Sequence, residues 1–125
     1  MQIDQRERHL AIIRSNDTRA AFLELLTGIA RLELTPSANT GKVPAVRFHD
    51  RFGRYLFSCI TNPHHLLFYI RRPAIAAAPH MVPQAKAHLQ RVSVNPAGEI
   101  TVRIEGIADA QKLLEWMNAH LPLAQ

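Results

Sequence analysis

The sequence predicts an α+β domain in which an antiparallel sheet of about five strands carries its helices on one face. Apolar residues first recur at three- and four-residue steps and, from Val43 onward, alternate with polar ones, which are the periods of helices and strands. The alternating segments follow one another across short turns, as in antiparallel sheets. Each predicted helix has a single apolar stripe, so the helices should share one face of the sheet and leave the other to solvent.

Two helices are predicted before the first strand. The first covers 4–13, because Asp4 and Glu7 have the spacing of a capping box. Asn16 and Asp17 interrupt the pattern and are expected to cap a second helix that ends near Leu34, ahead of a proline. A polar loop is predicted over 37–42.

Three consecutive strands are predicted over 43–49, 54–60 and 65–72. In the first, Val46 and Phe48 alternate with Arg47 and His49. The residues at 50–53 read Asp-Arg-Phe-Gly, which is typical of a hairpin turn with glycine at its last position.

Pro73 is expected to stop the third strand, and 74–83 gives no assignable pattern. A short helix over 84–90 follows, then a hairpin of strands 91–95 and 99–105 and a last helix over 108–120. The predicted order is ααβββαββα. A length of 125 residues is typical of a single domain, here predicted over 1–125.

Positive charge is concentrated in the middle of the chain. The net charge is +5, but residues 34–98 alone carry eight cations against one acid, Asp50. The segment 1–33 is neutral, and 99–125 has a net charge of −2. A localised cationic surface attracts anions, although a high pI also serves solubility alone. Six of the eight central cations are arginine, which binds phosphate through two parallel hydrogen bonds.

The alternation predicts an arginine-rich sheet face. On the side away from the helices it collects Arg47, Arg71, Arg91, Arg103, Tyr69 and His49. We therefore predict a nucleic-acid-binding module, for DNA or RNA, in which arginines hold phosphates and Tyr69 or Phe52 stacks on bases. The predicted phosphate-binding residues are Arg47, Arg51, Arg54, Arg71, Arg72, Arg91 and Arg103. The alternative is structural, since arginine stems commonly cover apolar surface on exposed sheets.

Two other functions fit the same residues. A metal-independent ribonuclease needs a base, an acid and a cation for the phosphate, and His49, His65, Tyr69, Arg47 and Arg71 offer these groups. Small basic ribonuclease toxins have a similar mix of helices and strands, with no motif in common. The other alternative is an interaction or inhibitor module for an acidic protein. The sequence favours binding over catalysis, because turn histidines are more often solvated than catalytic.

Several classes of protein are not expected. Cys59 is the only cysteine, so no internal disulfide can form, and its place in a strand suggests a packed thiol. The sequence contains no pair of cysteines or histidines at the spacing of a zinc site, and it contains no glycine-rich phosphate-binding loop. We therefore expect neither a metal nor a cofactor. No apolar run approaches the roughly 20 residues of a membrane span. The charged N-terminus lacks the apolar core of a signal peptide, so we expect a cytoplasmic protein. We further expect a prokaryotic or phage source.

Overall fold

The computed structural model describes residues 3–38 and 43–123 and confirms the α+β class. Over these residues, five helices pack against a six-stranded antiparallel sheet. The elements in chain order are α1 Ile3–Ile12, α2 Asn16–Ala30, β1 Thr35–Ala38, β2 Ala45–His49, β3 Tyr55–Thr61, β4 Leu66–Ile70, α3 Arg72–Ala77, α4 Met81–His88, β5 Val92–Val94, β6 Ile100–Ile104 and α5 Ile107–His120. None of the helices over these residues is long and apolar enough to cross a membrane.

The strands lie in the order β1-β2-β3-β4-β6-β5. The first four follow one another along the chain, and each pairs with the next. The helices α3 and α4 then lead to the β5–β6 hairpin, in which β6 lies beside β4. The strands β3 and β4 are therefore central, and β1 and β5 are the edges.

The sheet has one strand more than predicted. The first two residues of the predicted loop, Ser37 and Ala38, belong to β1. This strand pairs with β2, and Thr35 lies opposite His49. Its polar residues and Pro36 hide the strand pattern, and an edge strand tolerates proline because one side of its backbone faces solvent. The rest of that predicted loop, 39–42, lies outside the described residues.

The unassigned stretch after β4 is helical. Pro73 lies in the first turn of α3, where its missing N–H costs nothing, and Arg71 precedes the helix as its N-cap residue. The strand β4 therefore ends at Ile70 rather than at Arg72, and α4 starts at Met81, three residues before the predicted helix. The observed order is ααββββααββα.

The helix starts also differ from the prediction. The cap of α2 is Ser15, whose hydroxyl accepts a hydrogen bond from the Thr18 amide at 3.3 Å, rather than Asn16 or Asp17. The helix α1 begins at Ile3, so Asp4 lies inside its first turn. The Asp4 side chain lies outside the described part of the chain.

The core lies between the helices and one face of the sheet. Val46, Cys59, Phe68 and Val102 occupy one row across four strands, and all four are buried. Helix residues close the same cluster, among them Phe22, Leu25, Leu113 and Met117. Where α2 meets α5, a Cβ atom on Gly28 would lie only 2.5 Å from Leu114 Cδ1, so a larger residue here would require the Leu114 side chain to shift.

A buried histidine fixes α1 to the sheet. His9 Nδ1 lies 2.9 Å from the Thr61 hydroxyl, and its ring packs against Phe22. The Arg14 amide donates to the carbonyl of Pro63 at 2.8 Å and fastens the end of the same helix. Burial lowers the pKa of His9, because a charged imidazole would lose its hydration there.

Candidate nucleic-acid interface

The strand register aligns a row of polar side chains across the uncovered face of the sheet. Neighbouring strands pair Arg47 with Ser58, Ser58 with Tyr69, and Tyr69 with Thr101. The complete row is Ser37, Arg47, Ser58, Tyr69, Thr101 and Ser93. Two predicted site residues, Arg47 and Tyr69, thus lie in one row, with a single serine between them.

A β-bulge brings a second tyrosine to this face. Phe48 pairs with Phe57, whereas His49 pairs with Tyr55, so Leu56 is an extra residue in β3. Leu56 and Phe57 are both buried, and the strand alternation resumes with Tyr55 pointing the other way. Bulges commonly re-aim a side chain in this manner. Strict alternation counted from the buried Cys59 would place Tyr55 with the packed residues of its strand, and the adjacent apolar pair Leu56-Phe57 is the sign in the sequence that this alternation is interrupted.

The guanidinium groups of two arginines lie close to the ring of Tyr55. The guanidinium carbon of Arg71 lies 3.7 Å from the ring centroid, and that of Arg47 lies 5.3 Å away. Arg71 Nη1 also donates to the Tyr55 carbonyl at 2.7 Å, which fixes the stacked guanidinium. Both distances are in the range of a cation–π contact. Arg47, Tyr55, Tyr69 and Arg71 are referred to below as the Tyr55 cluster.

The Tyr55 cluster lines a concavity of about 430 Å³. Val43, Ala45 and Ile60 also contribute to its lining, and Ser58 forms part of it between the two tyrosines. A volume of this size falls within the range of small-molecule sites. The open face of the sheet therefore combines a recess, aromatic rings and two cations.

Glu99 is the only acid among the described residues that line this concavity. Its Oε2 lies 3.6 Å from Arg71 Nε, and its Oε1 accepts a hydrogen bond from Asn95 Nδ2 at 3.2 Å. Burial, and then the Glu99 charge, raise the pKa of Tyr69, so its phenol stays protonated and able to donate a hydrogen bond. Glu99 thus partly neutralises Arg71 in the free protein.

The predicted residues Arg91 and Arg103 lie in a different electrostatic setting. Arg91 Nη1 lies 3.3 Å from Glu105 Oε2 and 3.4 Å from Asp109 Oδ2. Arg103 Nε lies 3.0 Å from Glu105 Oε1. These four residues are called the Glu105 cluster, in which two cations meet two carboxylates. The sequence grouped both arginines with the open cationic face, but the structure pairs them with acids.

The β2–β3 turn holds the next group of predicted residues. Phe52 is 41% exposed, with the guanidinium carbons of Arg51 and Arg54 at 5.0 and 5.4 Å from its ring centroid. Arg54 Nε also binds Asp50 Oδ2 at 2.7 Å. Burial raises the pKa of Asp50, but hydrogen bonds from Arg54 and Phe52 and the Arg54 charge outweigh it, so the pKa is lowered. The glycine predicted to close this turn, Gly53, has a φ of 79°.

Arg72 lies apart from the strands. It is the first residue of α3 and is exposed, rather than the last residue of a strand as predicted. Its backbone position follows Arg71 directly, so it extends the cationic region beyond the sheet.

The two candidate catalytic histidines have different surroundings. The His49 ring lies 5.4 Å from that of Tyr55, next to the Tyr55 cluster. His65 interacts instead with the Glu105 cluster. Its pKa is lowered by burial and by Arg103 and His64, against the opposing effect of Glu105. The two histidines of the ribonuclease hypothesis therefore lie beside different clusters rather than together as a catalytic pair.

Metal and thiol chemistry have no support in the described part of the chain. Among residues 3–38 and 43–123, no three His, Cys, Asp or Glu side chains are grouped so that they could hold a metal ion. Cys59 is buried, and burial raises its pKa to about 12, which disfavours the nucleophilic thiolate.

Comparisons of this chain with models of protein families, with curated proteins and with solved structures give no match.

Proposed function

We propose that this chain binds single-stranded nucleic acid, DNA or RNA, on the open face of its sheet, with the Tyr55 cluster at the centre of contact. The observation that carries the proposal is the position of Arg47 and Arg71 against the Tyr55 ring, next to Tyr69. Single strands are bound by cationic grooves that follow the phosphates and by aromatic rings on which bases stack. The cluster supplies both kinds of group within one recess.

The shape of the face favours an unpaired strand. A duplex keeps its bases stacked and shows only their edges in grooves that admit a helix or a two-stranded ribbon. A six-stranded sheet is too broad to enter such a groove, and its tyrosines need free base faces to stack on. An unpaired strand offers those faces and its phosphates together.

The charge distribution supports the same ligand. Residues 34–98 carry a net charge of +7, and they include all four members of the Tyr55 cluster. Guanidinium groups suit phosphate because they donate two parallel hydrogen bonds. Displacement of Glu99 from Arg71 by a phosphate would exchange one anion for another at the same guanidinium.

The test is fluorescence polarisation with labelled single-stranded DNA, single-stranded RNA and duplex DNA at two salt concentrations, with EDTA present. We expect both single strands to bind more tightly than the duplex, and binding to weaken as salt rises. The same samples, run on a denaturing gel, should contain intact probes. Absence of binding at low salt would refute the proposal. Cleaved probes would replace it with the ribonuclease hypothesis.

A further inference from the structure

A second recess lies in the helix layer, away from the open face of the sheet. It has a volume of about 490 Å³ and lies between α4 and α5. Its principal lining residues are Gln84, His88, Lys112, Glu115, Trp116 and His120. The proposed nucleic-acid contact uses none of these residues, so this α4–α5 groove requires an explanation of its own.

One wall of the groove is aromatic. The Trp116 ring centroid lies 5.0 Å from that of His120, and the His120 ring lies 5.4 Å from that of His80. Trp116 is only 4% exposed, and its Nε1–H is a buried donor with no hydrogen-bond partner among the described residues. Native proteins rarely leave such a donor unused. The half-buried His120 ring is the part of this wall against which a planar apolar group can lie.

The polar lining of the groove favours an anion. Lys112 makes no ion pair with any residue that the structure describes, and the acid Glu115 lies on the same helix. Burial lowers the pKa of His120, and the neighbouring His80 and His88 lower it further. Imidazole N–H groups and an ammonium group are all hydrogen-bond donors. Lys112 and His88 are exposed at the groove, so their N–H groups can donate to a carboxylate there.

We propose that the α4–α5 groove is a binding site for a small aromatic carboxylate, whose ring lies against His120, beside Trp116, and whose carboxylate binds Lys112 and His88. Its volume falls in the range of small-ligand pockets. A metal ion is not the ligand proposed, because no group of described His, Cys, Asp and Glu side chains has a suitable arrangement. The site is independent of nucleic-acid binding.

The experiment uses the only tryptophan of the chain as the reporter. Phenylacetate is titrated into the full chain while Trp116 emission is recorded, beside acetate, which lacks the ring, and benzyl alcohol, which lacks the charge. We expect the emission change to saturate with a dissociation constant of about 1 mM for phenylacetate, as for a ligand of this size. Both controls should bind at least fivefold more weakly. An unsaturable response, or equal responses to all three compounds, overturns the proposal.

Two matched variants locate the site. The double variant Lys112→Gln/His88→Gln replaces the ammonium and imidazole groups with neutral amides and should weaken phenylacetate binding at least fivefold. Lys86→Gln, on the exposed side of α4 and outside the groove, should leave it unchanged. Equal affinity in the double variant overturns the proposal.

Discussion

The Tyr55 cluster and the Glu105 cluster both contain two arginines, but the first carries a net positive charge and the second a net charge of zero. In the first, Arg47 and Arg71 lie against an aromatic ring, and Glu99 is the one acid among the described residues that line the concavity. In the second, Arg91 and Arg103 meet two carboxylates. An arginine on an open sheet face is thus available to an external anion only when its neighbours leave its charge uncompensated.

The energetics explain why the difference matters. Exposed ion pairs stabilise a fold by only about 0–1 kcal/mol, so the Glu105 cluster is weak as a structural device. Its net charge of zero nevertheless removes its attraction for a polyanion at distances near the Debye length. The Tyr55 cluster keeps that attraction and adds an aromatic surface.

The largest expected effect comes from equal charge removal at the two clusters. Arg47→Ala/Arg71→Ala should weaken single-strand binding at least tenfold. It should flatten the log–log salt dependence by about 1.4, at about 0.7 for each lost phosphate contact. Arg91→Ala/Arg103→Ala removes the same charge but should change the dissociation constant by no more than about twofold. The slope of its salt dependence should stay close to that of the wild type. Polarisation titrations at several salt concentrations measure both, and equal losses in the two variants would abolish the distinction between the clusters.

The aromatic part of the comparison predicts the next largest effect. Tyr55→Leu and Tyr69→Leu should each weaken binding by about 5- to 150-fold, because stacking of one base contributes about 1–3 kcal/mol. Tyr55→Phe keeps the ring and should bind nearly as wild type. Phe52→Leu tests the sequence-based expectation that the turn aromatic stacks. Titrations at one fixed salt concentration are sufficient, and a larger loss from Phe52→Leu would move the contact to the turn.

A smaller effect of opposite sign is expected at Glu99. Glu99→Gln should tighten single-strand binding about two- to fivefold, because it removes the charge beside Arg71 and keeps the oxygen that accepts from Asn95. Glu105→Gln makes a matched control in the other cluster. The dissociation constants of the two variants are compared at low salt. A greater gain from Glu105→Gln would show that the paired arginines are the better anion site.

The smallest effect separates the fold from the site. Burial lowers the pKa of His9 in the folded state below the ordinary value of about 6.5. Its contribution to the free energy of unfolding is thus fully present above pH 6.5 and is lost as pH falls below 6.5 toward the lowered pKa. Urea unfolding at pH 7.5 and 6.0 should show this loss in the wild type and less of it in His9→Gln. Oligonucleotide binding by the fraction still folded should not follow it.

Much of the fold and part of the site follow from local patterns. Strict alternation placed Arg47 and Tyr69 on one face, and the register brings them into one row, because the side-chain period of a strand is fixed at two. Tyr55 escaped the same argument because a bulge adds one residue and reverses the alternation. The edge strand β1 escaped it because proline and polar residues give no apolar alternation.

The ion pairs depended on tertiary placement. Arg91 belongs to the basic middle of the chain, whereas Glu105 and Asp109 belong to the acidic end, so segment charges separated what the fold brings together. Arg71 illustrates the converse case. Its residue type was informative, but its stacking on Tyr55 depends on the bulge and on the start of α3.

The central location of β3 and β4 has a further consequence for recognition. Tyr55 and Tyr69 are carried by strands that are hydrogen-bonded on both sides and backed by the core. A ligand therefore meets a preorganised backbone and loses little affinity to ordering of the protein. The amides of β3 and β4 should be among the slowest in the chain to exchange with deuterium, both before and after an oligonucleotide is added.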